Sequence, residues 1–167
     1  MIGETNMTVD QIPMVSVIPS LRLLYTSRIE IDIPLCLGNT RYGERRIIHI
    51  KGGAFAGPRL SGRVLSGGAD WQIIRHDGIT EVEARYTLET HDGCLIYVHN
   101  WGIRRGAKEV MERLASGGKV DPSEYYFRTT PIFETGAPSY EWLNGLIAIA
   151  SGERRVNEVI ITVYEVT

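Results

Sequence analysis

The densest run of side chains capable of chemistry lies between Tyr126 and Asn144, in YFRTTPIFETGAPSYEWLN. Tyr126, Arg128 and Thr130 alternate with Phe127 and Thr129, so strand geometry would put Arg128 on one face. Glu134 follows Pro131-Ile132-Phe133, where a kink is expected, and Tyr140, Trp142 and Asn144 then recur at a period of two. Together these groups fit a pocket for a polar aromatic molecule. Arg128 would hold an anionic or enolate oxygen, with Glu134 as base, Tyr140 as acid, and Trp142 and Asn144 binding the ring. The plainer alternative is an Arg128–Glu134 ion pair closing one end of the fold under Tyr140 and Trp142; such pairs contribute little when exposed.

Further candidates lie upstream. Asp70-Trp71 follows the Gly67-Gly68 turn. Asp70 can serve there as acid or base beside a Trp71 wall, or merely cap its own turn while Trp71 plugs an end. Arg85 and Tyr86 are adjacent on a strand and must face opposite ways; alternation favours Tyr86 inside. A buried phenol needs a partner, which makes Tyr86 a hydrogen-bond donor to a ligand or an acid. His99 and Trp101 share one face and Asn100 the other. A lone strand histidine is more often structural than catalytic, so His99 is retained only as a ligand-binding candidate. Asp77 and Asp92 precede glycine and are explained by hairpin turns.

Several chemistries lack their signatures. Four dispersed histidines show no HxH or HExxH spacing, so no metal is expected. No GxSxG elbow occurs, and no nucleotide fingerprint. The glycines at 52, 53, 57 and 62 are followed by neither a Lys-Ser/Thr pair nor a helix pattern, which argues against a phosphate cradle. With 18 Lys+Arg against 20 Asp+Glu and no basic block, nucleic acid is not an expected partner. No apolar run approaches the ~20 residues of a membrane span, and the N-terminus does not read as a signal peptide. Cys36 and Cys94 read as buried free thiols in a cytoplasmic protein. Acid/base work without a cofactor, or binding alone, is what survives.

The elements that must position these groups are strands. Leu21, Leu23, Tyr25, Ile29, Ile31 and Ile33 fall on odd positions against polar even ones, which predicts a long strand with one buried face, ended by Pro34. A loop is expected around Gly38–Gly43, then strands at Arg46–Ile50, Gln72–Arg75, Thr80–Thr90 and Cys94–Trp101. Gly67-Gly68, Asp77-Gly78 and Asp92-Gly93 punctuate this stretch as hairpin turns. Ala107–Ala115 is the one clear helix, ended by Gly117-Gly118. Strands resume at Tyr125–Thr129, Leu143–Ala150 and Glu158–Val166, with Ser151–Arg154 as the last hairpin loop. Residues 1–19 read as a flexible N-terminal arm and 20–167 as a single domain. The expected class is all-β: an antiparallel, closed or nearly closed barrel of about eight strands with one short helix.

Four blocks, GERRIIHIKGGAFAGPRLSGRVLSGGADW, EARYTLETHDGCLIYVHNWG, EYYFRTTPIFETGAPSYEWLN and the terminal VYEV, lie co-linear within roughly 43–167. Through them the chain resembles the DUF3237 (UPF0311) family, whose opening strand Leu21–Ile33 also resembles. Ser66 stands where the family's turn carries proline. The resemblance implies a mostly antiparallel barrel of about eight strands and no settled activity.

Three functions follow as expectations. The first is a cofactor-independent enzyme of isomerase, cyclase or lyase type, acting on a small hydrophobic, aromatic or polyketide-like molecule in the barrel. Asp70 or Glu134 would be its base and Tyr86 or Tyr140 its acid. The second is a non-catalytic carrier or sensor using the same cavity. The third is a structural protein whose barrel is filled with side chains. A carboxylate with a raised pKa in the cavity would favour the first. A homo-oligomer is left open.

Overall fold

Ten strands succeed one another among the described residues, and alternation across each decides which side chains face inward. The computed structural model describes residues 17–167, so the expected arm lies almost wholly outside the described residues. The strands are β1 (Leu21–Ile31), β2 (Leu35–Thr40), β3 (Gly43–Ala56), β4 (Ser61–Val64) and β5 (Ala69–Ile74), then β6 (Thr80–Thr90), β7 (Leu95–Gly106), β8 (Tyr125–Glu134), β9 (Ala148–Arg154) and β10 (Glu158–Val166). One α-helix, α1 (Lys108–Ala115), follows β7, and short 3₁₀ segments occupy Pro122–Glu124 and Pro138–Gly145.

Every pairing is antiparallel. From β1 the order runs through β10, β9, β8, β7 and β6; β4 and β5 share the next position; β3 then pairs back onto β1. The barrel therefore closes at eight positions, with β2 flanking β3 on the outside. Closure removes the edges that would otherwise recruit other chains.

It also forces close backbone approaches. Gly53 has φ +146°, and a Cβ there would stand 2.1 Å from the Arg28 carbonyl oxygen of β1. The β1–β3 register shifts next to it, between Glu30 and Ile31. Gly53→Ala should therefore cost about 1–3 kcal/mol, read as a lower urea midpoint. An unchanged midpoint would show that the seam tolerates a side chain.

The two ends of the barrel differ. At the end holding the 90–95 and 134–145 connections, the interior is solid. Tyr25 meets Phe55 and Phe133 edge-on, with ring centroids 5.4 and 6.1 Å apart, and Leu24, Leu88, Ile96 and Leu143 are sealed around them. At the other end α1 leaves β7 across the opening and buries only Leu114.

The strands depart from expectation where local geometry intervenes. In β1 a bulge between Leu23 and Tyr25 shifts the phase. Leu24 is buried, while Leu21 and Leu23 are exposed along with Ile33 beyond the strand. The stretch expected as a loop contains β2, which adds to the outside of β3 and presents exposed Leu35 and Leu37. β8 runs through Pro131 without the expected kink. It pairs with β9 only at Arg128 and Thr129, so at Pro131 it is an edge on that side, where a missing N–H is tolerated. Residues 143–145 belong to the 3₁₀ segment and the strand begins at Ala148, so Ser151–Arg154 lies inside β9 rather than in a loop. Cys36 and Cys94 are both free; Cys36 is exposed rather than buried.

Candidate active site

Inward alternation on β7 continues past the apolar Ile96 and Val98 to Asn100, Gly102 and Arg104. The same phase on β5 brings Asp70 and Gln72 inside, on β6 Tyr86, on β8 Thr129, and the end of β9 supplies Arg154. Polar side chains thus gather in the half of the barrel that its aromatic core leaves unfilled. They surround a chamber of about 50 Å³. It shares Ile48, Gln72, Arg104 and Arg154 with an open vestibule of about 1110 Å³ under α1. The chamber has room for a few water-sized groups at ~10–15 Å³ each, well short of the ~150 Å³ that held a benzene in an engineered cavity. A ring would sit in the vestibule and send only a polar head inward.

Asp70 is held by two donors. Gln72 Nε2 donates to its Oδ2 at 2.6 Å, and the Glu83 backbone N–H donates to its Oδ1 at 2.9 Å. The β5–β6 pairing skips residues 71 and 72, so this carboxylate takes the place of a ladder carbonyl at Glu83. Burial pushes the Asp70 pKa above the ordinary carboxylate value of 3.8; the two hydrogen bonds and the charges of Arg104 and Arg154 only partly oppose it. Arg104 is 7% exposed, and burial pulls its pKa down to about 10 against the attraction of Asp70. No carboxylate lies within 4 Å of its guanidinium among the described residues, and its Nε has no partner. Tyr86 Oη, Asn100 Oδ1 and Thr129 Oγ1 are likewise buried and unpartnered. Burial raises the Tyr86 pKa, against a weaker opposing pull from the neighbouring Tyr25 hydroxyl, so the phenol stays protonated and able to donate. Unsatisfied buried polar atoms are rare. Four of them converge on one chamber.

Of the residues expected from sequence, this arrangement brings together only Asp70 and Tyr86. Trp71, His99, Arg128 and Glu134 lie on the outer face. His99 Nε2 stands 3.1 Å from Glu83 Oε1 outside the barrel. Arg128 and Glu134 form no ion pair, because six residues of straight strand separate them; Arg128 instead donates to the Phe127 carbonyl at 2.8 Å. Arg128→Ala and Glu134→Ala should each leave stability within ~0.5 kcal/mol of wild type, and the double variant should be additive in thermal melts. Tyr140, Trp142 and Asn144 do not form a stripe, since Pro138–Gly145 winds as 3₁₀ helix at the solid end. Asn144 accepts from Thr135 N and donates to Thr135 O, both at 2.9 Å. Tyr140 donates to Asp92 Oδ1 at 3.0 Å, and Arg59 stacks 3.5 Å above Trp142. These residues plug the barrel away from the chamber.

Arg104, Asn100, Thr129, Gln72 and Arg154 were not singled out by sequence reasoning. The available signal was the period of two running beyond Trp101, which assigns Asn100 and Arg104 to one inward phase. No group of three or more side chains able to hold a metal occurs among the described residues, and none of their helices is long and apolar enough to cross a membrane.

Comparison with known proteins places these observations in a lineage. The family model described as "Protein of unknown function (DUF3237)" matches residues 19–166. A UPF0311 protein of Rhodopseudomonas palustris (strain TIE-1) is 48% identical over 129 residues, covering 77% of this chain and 84% of that protein. The crystal structure of a conserved protein of unknown function from Rhodopseudomonas palustris superposes with TM-score 0.86 at 40% identity, over 92% of this chain and all of that one. A Penicillium herquei protein described as an enzyme superposes with TM-score 0.71 at 18% identity, covering 93% of this chain and 100% of that one. At that identity the likeness concerns the fold alone.

Proposed function

Because this chain belongs to the DUF3237 (UPF0311) family, whose description names no activity, we propose its function from the chamber itself: cofactor-independent proton transfer on a small, enolisable, aromatic or polyketide-like molecule. The observation that carries this reading is one pair of groups. Asp70, with its pKa raised by burial, faces the same chamber as Arg104, a buried cation with no ion-pair partner among the described residues. A carboxylate poised above its usual range is a better general base near neutrality than an exposed one, and binding alone would not require it. Arg104 is placed to hold an oxygen that gains negative charge as the proton leaves.

In this mechanism the substrate's ring occupies the vestibule and its carbonyl enters the chamber. Asp70 removes a proton from the carbon beside that carbonyl. Arg104 and the Tyr86 hydroxyl donate to the resulting enolate oxygen, while Asn100 Oδ1 accepts from a substrate hydroxyl or from water. Returning the proton to a different carbon gives an isomer, and loss of a β-substituent gives elimination. Attack of the enolate carbon on a second carbonyl gives a cyclised product.

The Penicillium herquei protein supports the reading only so far as a barrel of this shape can house an enzyme. The chamber itself speaks against a barrel filled with side chains. A carrier would use the same vestibule, and one experiment separates the two. A panel of enolisable aryl ketones is incubated with the protein in D2O, and deuteration beside the carbonyl is followed by NMR. Wild type should catalyse exchange and Asp70→Asn should not. Binding of the ketones without exchange would leave a carrier.

A further inference from the structure

The charges around the chamber do not balance, and the imbalance has a chemical consequence. Around the vestibule, Arg46 is matched by Glu44 at 2.7 Å, Lys108 by Glu112 at 3.8 Å, and Asp77 by Arg75 at 2.5 Å. Arg105 and Asp32 are exposed at the rim, where water screens them. Further in the matching stops. Arg104 has no carboxylate within 4 Å among the described residues. Arg154 is held by main chain instead, its Nη1 donating to the Val156 carbonyl at 3.0 Å and to that of Glu158 at 3.4 Å. Both guanidinium groups act through space on Asp70, the one carboxylate among the described residues lining the chamber, and neither closes on it.

Two cations, Arg104 buried and Arg154 half-buried, therefore face one carboxylate across the chamber. A buried charge without a counter-charge is costly, and proteins ordinarily avoid it or leave it for a ligand to satisfy. We infer that the ligand is an organic monoanion, a carboxylate or phenolate on an apolar body, whose charged head enters the chamber between Arg104 and Arg154. The inference rests on the proposed use of this site and narrows its substrate class. The anionic head supplies the missing charge, and acceptor lone pairs reach the unpartnered Arg104 Nε, Tyr86 hydroxyl and Thr129 hydroxyl. The chamber suits such a head, because about 50 Å³ admits a carboxylate and excludes the ring that bears it. The apolar body meets Ile33, Ile74, Ile79, Met111 and Val156 in the vestibule. A dianion would overcompensate, and a neutral molecule would leave the second guanidinium unmatched.

The test uses benzoate and 2-naphthoate against their neutral amides, with affinity measured by calorimetry on the full chain. The acids should bind at least tenfold more tightly than the amides. Arg104→Met and Arg154→Met should each lose at least tenfold for the acids and little for the amides. Asp70→Asn should bind the acids as tightly as wild type or better, since it removes the competing negative charge. Equal binding of acids and amides, no binding of the acids, or affinity unmoved by both arginine variants would overturn the inference. The outcome is separable from that for proton transfer. Neutral ketones exchanging in an Asp70-dependent way, with no acid bound, would refute the monoanion and leave the base. Acids bound as expected, with no ketone exchanged, would do the reverse.

Discussion

Asp70→Asn is expected to slow deuteration beside the ketone carbonyl by about 10²–10⁴-fold, the usual contribution of a positioned general base, without lowering the melting temperature. The substitution keeps shape and hydrogen bonding. Asn Oδ1 still accepts from the Glu83 N–H, and Gln72 can turn its amide so that its oxygen meets the new Nδ2. Only the proton acceptor is lost. In wild type the rate should rise with pH through the Asp70 pKa, and that rise should lie above the ordinary 3.8 because burial raises the value.

The same shift fixes the sign for stability. The folded pKa is raised, so the folded state binds more protons than the unfolded one between 3.8 and the raised value, and stability falls as pH climbs through that window. Asp70→Asn should abolish this contribution and melt higher than wild type at neutral pH. A variant that melts lower and still exchanges deuterium would remove Asp70 from the mechanism.

Arg104→Met should make the protein more stable while destroying its site. Burying a charge without a paired counter-charge is costly, so replacing it by an apolar side chain of similar length is expected to be neutral or stabilising. In a chain of this size each kcal/mol corresponds to about 2–4 °C in melting temperature. Three observations set the expected direction. The guanidinium is 7% exposed. Its Nε is unpartnered. Its pKa is pulled down to about 10 by burial despite Asp70. Removing Arg104 also removes an attraction that lowers the Asp70 pKa, so the rise of any residual exchange with pH should move to higher pH. Arg104→Ala is the companion variant; it should stabilise less, because it leaves an unfilled volume beside Phe127, whose ring centroid lies 5.6 Å from the guanidinium carbon. A melting temperature that drops for both variants would mean that the barrel itself holds Arg104 and that the cradle is not kept for a ligand.

Much of the architecture was readable from local rules. The period of two assigned the inward face of β6, while on β7 it separated His99 and Trp101 from Asn100 without deciding which face points inward; the Asp-Gly pairs located two hairpin turns, with Gly78 and Gly93 at φ +84° and +83°. Alternation failed where one extra residue entered a strand, as at Leu24 in β1. It failed again at Tyr140–Asn144, where spacing alone cannot tell a strand stripe from a 3₁₀ coil. There Pro138 and the two Asn144–Thr135 hydrogen bonds set the conformation.

The candidate site shows the same division. From its own strand, Tyr86 could be assigned an inward face because Val82, Ala84 and Leu88 share its phase. Asp70 could be named as a candidate acid or base, but its orientation and its raised pKa depend on Gln72, Glu83, Arg104 and Arg154, drawn from β5, β6, β7 and β9. Arg128 and Glu134 looked like a pair because six residues is a short distance along a sequence, but along a straight strand it is a long one. Near-neighbour steric and hydrophobic rules were therefore enough for the class of fold, for the Asp-Gly hairpin turns and for the inward phase of β6 and most of β1. Which inward polar residues share one chamber is a matter of tertiary structure. That depends on closure of β3 onto β1, on the register between strands far apart in the chain, and on aromatic packing that fills one end of the barrel and leaves a chamber towards the other.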